Sequence, residues 1–255
     1  MLEPFDVVYT IWLREVKAWG RERERLIGMV GQPVLYLLIL GPGIASGLTI
    51  NRAPNVSYLQ FMFPGIVGMS VLFTSMFAAI SIIWDREFGF LKEVLVAPVP
   101  RWAVAFGKVL GGATIAVVQT IILIVLAPLA GISPSPTMVV EIILLCFLIS
   151  IAVTSLGTAL AARMRSMQGF QVIMNLLVMP LYFLSGAMFP LASAPAWMRA
   201  LMVIDPLTYG VDALRSVVLP GSSLVRFDIP TDVSVLAVVA VLLVGAAAFQ
   251  FSRTN

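Results

Sequence analysis

The sequence predicts an all-α membrane protein with six transmembrane helices. Hydrophobic residues make up 60% of its 255 residues and charged residues only 11%, whereas about a quarter of the residues in soluble domains are charged. Six apolar runs have the length of roughly 20 residues that a helix needs to cross a bilayer core. They are Met29–Leu48, Met62–Trp84, Ala103–Ala130, Met138–Ala162, Val172–Phe189 and Val233–Phe251. We expect residues 1–255 to form one transmembrane domain, with the spans inside residues 28–251.

An amphipathic helix is predicted ahead of the first span, within residues 1–27. Apolar residues recur there every three or four positions, at Val8, Ile11, Trp12, Val16 and Trp19. Five basic residues lie between Arg14 and Arg25. This pattern is typical of a helix that lies on the membrane surface with its basic side toward anionic headgroups. A solvated tail is the alternative.

A charged segment separates the second span from the third. It runs from Asp85 to Glu93 and holds five ionisable groups, which are too costly to leave in hydrocarbon. Residues 94–97 are apolar, and Pro98 and Pro100 follow them. A charged stretch, an apolar stretch and a proline stop together indicate a short surface helix at one membrane face.

Residues 190–231, between the fifth and sixth spans, are cut by prolines into pieces too short to cross the membrane. Ala196–Val203 and Leu207–Val218 are predicted as two short helices. Such helices re-enter between spans, where protein can satisfy the polar groups at their ends.

Lysine and arginine are distributed unevenly between the two sides of the predicted bundle. Twelve lie on the side of the N-terminus and four on the other, which are Arg52, Arg199, Arg215 and Arg226. Basic residues are enriched in cytoplasmic loops. Both termini are therefore expected in the cytoplasm, and residues 190–231 outside.

Few groups in this chain are suited to catalysis. Histidine is absent, and the single cysteine, Cys146, lies in an apolar run, so the commonest general base is missing and no internal disulfide can form. No carboxylate lies deep in a predicted span, which disfavours a proton-coupled carrier. Gly107-Lys108 lacks the rest of a phosphate-binding loop. We expect no catalytic residue, metal site or cofactor here, and no nucleic-acid partner.

Gln119 and Asn175 are the candidate pathway residues. Both are amides inside predicted spans, where burying an amide costs free energy unless it is hydrogen-bonded. Hydrogen bonding between helices is the alternative role for both.

Three motifs resemble those of type-2 ABC exporter permeases. Arg86-Glu87-Phe88-Gly89-Phe90-Leu91 is similar to the charged element that opens the first cytoplasmic loop of that family. Asp205-Pro206-Leu207-Thr208-Tyr209, with Arg215 six positions on, resembles an element before the last span, where the family usually has Asn instead of Asp205. Leu184-Ser185-Gly186-Ala187-Met188-Phe189-Pro190 matches the end of the fifth span. The likeness covers nearly the whole chain and is strongest to drug- or antibiotic-resistance and lipo-oligosaccharide permeases.

The resemblance implies half of a transporter in the plasma or inner membrane. Two permease chains, most simply a homodimer, would each dock a cytoplasmic ATPase subunit that binds ATP and Mg. A helix in the Asp85–Arg101 loop would contact the ATPase through residues 86, 87, 89, 91 and 93, which are Arg86, Glu87, Gly89, Leu91 and Glu93. Pro206, Tyr209 and Arg215 would lie at an external gate or serve packing there. The substrate would be a drug, a lipid or a lipid-linked glycan.

Two rival functions remain open at this level. One is a channel or secondary carrier that works without ATP, and the other is a membrane-embedded enzyme or scaffold.

Overall fold

All regular structure in the described part of the chain is helical. The computed structural model describes residues 3–40, 56–89, 99–164, 166–191 and 194–253. Its helices are α1 Pro4–Arg21, α2 Arg23–Leu35, α3 Tyr58–Ala78, α4 Ile80–Glu87, α5 Arg101–Leu126, α6 Pro136–Ala161, α7 Met167–Leu184, α8 Ala196–Ile204, α9 Pro206–Val218 and α10 Ile229–Ser252. A π-helical turn, Tyr36–Leu40, extends α2, and a 3-10 turn, Ala127–Ala130, extends α5.

Five segments of the described ranges are long and apolar enough to span a membrane. They are Tyr58–Glu87, Arg101–Ala130, Pro136–Ala161, Met167–Leu184 and Ile229–Ser252, and they correspond to the second through sixth predicted spans. Of the first predicted span, Met29–Leu48, the described residues include an apolar helix over Ile27–Ile39, and residues 41–55 lie outside them. The count of six spans stays a prediction.

The second span differs from its predicted form. It begins at a capping box in which Ser57 Oγ accepts from the Gln60 backbone N–H and Gln60 Oε1 accepts from the Ser57 N–H, satisfying two N–H groups. It is divided at Ala79 into α3 and α4. The helix continues beyond the predicted end of the span at Trp84, because α4 stays helical through Glu87.

Helix α3 forms the centre of the bundle. Every residue from Phe61 to Leu72 is buried. Small residues permit the close packing around it: a Cβ on Gly68 would lie 2.8 Å from Val211 of α9, and one on Gly112 of α5 would lie 2.7 Å from Thr154 of α6. Close backbone approach of this kind is how membrane helices gain packing energy.

The two short helices predicted between the fifth and sixth spans are present as α8 and α9. Most of α9 is buried against α3, α6 and α10, whereas α8 exposes Trp197 and Ile204. Asp205 caps α9 by accepting from the Leu207 N–H at 2.9 Å. Burial of α9 among long helices is what a re-entrant helix requires, since its backbone ends need protein partners.

Candidate functional site

The helix directions define two ends of the bundle. The α1 end carries α1, the C-terminus of α4 and the N-terminus of α5. The α9 end carries α9 and the N-termini of α3 and α10. The predicted site residues divide between these ends.

At the α1 end, helix α1 packs closely on α5. A Cβ on Gly107 would lie 2.8 Å from Ile11 Cβ, and one on Gly111 would lie 2.7 Å from Glu15 Cβ. Trp12 Nε1 also donates to Thr114 Oγ1 at 2.9 Å. The apolar side of α1 therefore contacts protein as well as the surroundings, and Val7 and Ile11 are buried in this contact. The predicted helix is present as α1, and its contact with α5 is an addition to the prediction; its place on the membrane surface stays a prediction.

Four charged side chains join α1, α4 and α5. Lys108 Nζ donates to Glu15 Oε1 at 2.8 Å and to Asp85 Oδ2 at 2.6 Å. Arg14 makes two hydrogen bonds to the Asp85 carboxylate. Lys108 and Asp85 are only 4% and 5% exposed, and a buried charge is tolerated when it is paired and hydrogen-bonded in this way. We call these four residues the charge cluster.

This cluster was not predicted from the sequence. Lys108 was considered there only as part of the Gly107-Lys108 pair, and Asp85 only as the first residue of the charged segment. Both lie on helices that border residues 88–100: Asp85 is in the last turn of α4, and Lys108 is in the second turn of α5. The available signal was a lysine placed inside an apolar run, since such a residue needs a partner.

The predicted ATPase-contact residues have different surroundings. Arg86 donates to the carbonyl oxygens of Ala162, at 2.7 Å, and Met164, beyond the end of α6. Glu87 is exposed, and Gly89 has φ +81°, a backbone angle that favours glycine. Leu91 and Glu93 lie outside the described residues.

Further hydrogen bonds connect the helix ends here. Arg101 Nη1 donates to the Ser252 carbonyl at 2.9 Å, and Arg163 Nε donates to Gln250 Oε1 at 2.7 Å. The start of α5 and the end of α6 are thereby tied to the C-terminal turn of α10.

At the α9 end, Arg215 is buried within the bundle. Its Nη2 donates to the Gly186 carbonyl at 2.9 Å, and its guanidinium carbon lies 4.4 Å from the Phe61 ring centroid. Asp212 Oδ1 lies 3.9 Å from Arg215 Nη1. The Asp212 carboxylate also accepts hydrogen bonds from the backbone N–H groups of Arg226 and Phe227. Arg215 thus joins α9 to the C-terminus of α7 and to α3.

The other two predicted gate residues also make internal contacts. Tyr209 donates to the Val203 carbonyl at 2.8 Å and stacks on Phe227 with ring centroids 5.1 Å apart. Pro206 is the first residue of α9. Beside it, burial raises the pKa of Asp205 to about 7, partly opposed by the hydrogen bond from Leu207.

A cavity of about 580 Å³ lies between α1 and α2 on one side and α3, α4 and α5 on the other. Gln119 lines it, is 1% exposed, and donates to the Met29 carbonyl at 2.5 Å. Asn175 is exposed on α7, away from Gln119, although Gln171 one turn earlier lines the cavity. The structure therefore does not bring the two candidate pathway residues together. No group of three potential metal ligands occurs in the described ranges.

Comparison with known proteins agrees with this architecture. The profile of the ABC-2 type transporter family matches residues 6–219. "Putative transport permease ycf38" of Cyanophora paradoxa is 30% identical over 194 residues, which is 74% of this chain and 66% of that protein. "Nodulation protein J" of Rhizobium meliloti (strain 1021) is 28% identical over 219 residues, 85% of this chain and 82% of the relative.

A third relative is "Probable doxorubicin resistance ABC transporter permease protein DrrC" of Mycobacterium tuberculosis (strain CDC 1551 / Oshkosh). It is 23% identical over 213 residues, 82% of this chain and 75% of its own length. The residues matched by the family profile, 6–219, include most of α1, the charge cluster, the residues that line the cavity, and α9. This chain is a multi-pass membrane protein and belongs to the ABC-2 type transporter family.

Proposed function

We propose that this chain is the permease subunit of an ATP-driven exporter. It moves a hydrophobic or amphipathic substrate, such as a drug, a lipid or a lipid-linked glycan, out of the cytoplasm or the inner leaflet. A separate ABC ATPase subunit binds ATP and Mg and supplies the energy. Family membership supports this function, and relatives named for doxorubicin resistance and nodulation support a diverse substrate range.

The charge cluster is the observation that carries the proposal. Residues 88–100 connect α4 to α5, and Asp85 and Lys108 hold these two helices together with α1. A force applied to residues 88–100 by an ATPase therefore acts on three helices at once. Packed helices joined by ion pairs move as a unit instead of deforming. This arrangement is suited to transmit a conformational change of the ATPase to the membrane-spanning helices.

The ATPase contact is assigned to Arg86, Glu87, Gly89, Leu91 and Glu93. The exposed Glu87 is the best-supported member, because its side chain extends from the last turn of α4 into the surroundings. Arg86 supports this contact indirectly, because its hydrogen bond to the Ala162 carbonyl holds α4 to the end of α6. The α1 end then faces the cytoplasm, with both termini, and the α9 end faces outward from the plasma or inner membrane.

Two permease copies, each with one ATPase subunit, form the working complex. Helix α7 supports this stoichiometry because Asn175 is exposed on a membrane-spanning helix and does not line the cavity. An amide facing lipid lacks hydrogen-bond partners. A second copy packed on α7 supplies them, and the substrate path then lies between the copies.

Pro206, Tyr209 and Arg215 form the scaffold of the external gate. Their contacts are to backbone carbonyls and to rings within the chain. We assign them the role of holding α9 in place above the path.

A secondary carrier that works without ATP is the second candidate. The buried Lys108 and Asp85 favour it, since ionisable groups inside membrane segments mark proton pathways in many carriers. The mutual pairing of these two groups near a helix end fits a structural link better, because a proton pathway needs a group that is free to change its charge.

Reconstitution in vesicles separates the candidates. The chain is incorporated with and without its ATPase, and doxorubicin is used as the trial substrate. Our proposal predicts transport that needs ATP and the ATPase, and that persists when an ionophore collapses the proton gradient. Transport that continues without the ATPase and stops with the ionophore would establish the carrier instead.

A further inference from the structure

Four buried hydroxyl groups near the centre of the bundle have no hydrogen-bond partner in the described part of the chain. They belong to Ser75 of α3 and to Thr154, Ser155 and Thr158 of α6. All four residues are at most 1% exposed. Burying a hydroxyl without a partner costs free energy, so a group of four requires a physical explanation.

Other hydroxyls on the same two helices bond within their own helix. Ser70 Oγ donates to the Ile66 carbonyl oxygen at 2.8 Å, and Ser150 Oγ donates to the Phe147 carbonyl oxygen at 2.8 Å. This is the usual arrangement of serine inside a helix. The four unpartnered hydroxyls are therefore local exceptions on helices that elsewhere follow the rule.

The exception on α3 lies where the second span divides. The Ala79 N–H donates to the Met76 carbonyl, three residues back, at 3.2 Å. In a regular α-helix this N–H would donate to the Ser75 carbonyl, four residues back. Ser75 thus combines a hydroxyl without a partner and a carbonyl that has lost its helical donor.

Two glycines bring α5 and α6 against this break. A Cβ on Gly112 of α5 would lie 2.9 Å from Ala78 Cβ and 3.0 Å from Thr154 Oγ1. A Cβ on Gly157 of α6 would lie 2.9 Å from Ala79 Cβ. The Thr154 hydroxyl and the break in the second span therefore border the same contact between three helices.

The residues around the break do not explain it. Helices break or kink at proline, at glycine and serine pairs, at π-turns, or where a side chain or water enters the hydrogen-bond ladder. Residues 76–80 are Met-Phe-Ala-Ala-Ile, and the turn at Ala79 is tightened instead of widened to a π-turn. Of the two remaining causes, water is favoured, because a buried water makes about three hydrogen bonds to groups such as the hydroxyls beside this break.

We infer that the break at Ala79 holds a buried water site formed by the hydroxyls of Ser75, Thr154 and Thr158, with Ser155 beside them. Water there bonds these hydroxyls and the Ser75 carbonyl. Because water can exchange one hydrogen bond for another, α4 can turn against α3 without breaking a bond between protein groups, and the break acts as a pivot.

The position of this pivot relates it to the charge cluster. Asp85 lies on α4, beyond the break, so a turn of α4 moves the cluster relative to the centre of the bundle. A role in transport rests on the proposed function. The water site and the pivot do not, and both can be tested in the permease without its ATPase.

Radiolytic footprinting tests the site in the purified permease, held in nanodiscs. X-rays convert bound water to hydroxyl radicals, which oxidise a methionine next to it. Met76 is the reporter, because it is fully buried and its Sδ would lie 3.4 Å from a Cβ on Gly157. Met62, on the same helix and only 2% exposed, is the control. Met76 should be oxidised several-fold faster than Met62, and equal rates would overturn the inference.

A matched pair of variants assigns the effect to the hydroxyls. Thr154→Val removes one hydroxyl at nearly constant volume. It should lower the oxidation rate of Met76 toward that of Met62 and slow hydrogen exchange at the amides of residues 80–83. Thr120→Val should change neither, because this fully buried hydroxyl donates to the Ala116 carbonyl of its own helix. Equal effects of the two variants, or none from Thr154→Val, would contradict the site.

Thermal unfolding gives a reading that does not depend on labelling. In a dry site, Thr154→Val removes an unpartnered buried hydroxyl and should raise Tm. In a hydrated site, it removes a hydrogen bond to water and should lower Tm. Ser75→Ala is the second variant and should shift Tm in the same direction. We expect both to lower it, and a rise in either would show that the break is dry.

Discussion

The two ends of the bundle hold their helices together in different ways. At the α1 end, charged side chains of three helices bind one another: Lys108 and Arg14 hold Asp85, and Lys108 holds Glu15. Arg86 and Arg101 add hydrogen bonds to backbone carbonyls at this end. At the α9 end, side chains bind mainly backbone: Arg215 binds the Gly186 carbonyl, and Asp212 binds two N–H groups.

This difference bears on what the loss of one charge does at each end. In the charge cluster, each buried charge depends on another charged side chain, so removing one residue leaves its partner buried and unpaired. At the α9 end, backbone groups meet the charges of Arg215 and Asp212 and remain in place when a side chain is changed. We therefore expect single charge substitutions to cost more stability at the α1 end.

The largest effect is expected from Lys108→Met. This change leaves Asp85 buried with one partner fewer, and breaking a buried pair costs about 3–5 kcal/mol. Thermal unfolding of the purified protein should show a large loss of stability. Lys17→Met, at an exposed position on α1, is the control and should change little.

The double variant Asp85→Leu with Lys108→Met sharpens this test. Arg14 and Glu15 remain 3.7 Å apart and can compensate each other. The double variant should therefore be more stable than Lys108→Met alone. Additive losses would mean that the two residues do not act as a pair.

The next effect concerns the contact of α1 with α5. A Cβ at Gly107 would lie 2.9 Å from the Val8 carbonyl oxygen, so Gly107→Ala should displace α1 and cost about 1–3 kcal/mol. Limited proteolysis should then release α1 sooner. Gly245→Ala on α10, where a Cβ meets nothing within 4 Å, should leave proteolysis unchanged; equal cleavage in both variants would contradict this packing.

A smaller, pH-dependent effect is expected at the α9 end. The folded-state pKa of Asp205 is raised to about 7, above the ordinary value of 3.8. The folded protein therefore holds a proton that the unfolded chain releases, and this residue's contribution to stability falls as pH rises from about 4 to 7.

Asp205→Asn removes the free-energy cost of ionising this buried carboxyl at high pH. It retains an oxygen that can accept the hydrogen bond from the Leu207 N–H. It should stabilise the protein at pH 8, by on the order of 1–2 kcal/mol, and have little effect at pH 4. Unfolding midpoints at the two pH values measure the difference. Asp228→Asn is the control, because the pKa of this exposed carboxyl is lowered by its hydrogen bond from Thr231; a pH-independent gain at Asp205 would argue against ionisation as the cause.

Most of the helices could be predicted from the sequence. Five apolar runs, and the two proline-bounded pieces near Ala196 and Leu207, have local signals that do not depend on distant residues. Ala79, where the second span divides, carries no such signal. The first span remains a prediction.

The contacts of the site could not be predicted in the same way. Asp85 meets Arg14 from 71 positions away, and Lys108 meets Glu15 from 93 positions away. A single sequence does not show which of its distant residues come into contact when the chain folds. Arg86 matched a family motif, yet its guanidinium binds the carbonyl of Ala162, a partner that no side-chain pattern can indicate.

The most direct test of coupling to the ATPase through this segment is to reverse the charge of both Glu87 and Glu93. Glu87 is exposed beyond the charge cluster, and surface changes rarely cost much stability, so insertion and abundance should stay normal. Glu141→Lys, an exposed position at the start of α6, is the matched control. In vesicles with the ATPase, we predict that the double reversal abolishes most transport and most stimulation of ATP hydrolysis by substrate, while the control retains both. A double-reversed permease that binds its ATPase and transports at the normal rate would contradict the assignment of coupling to this segment.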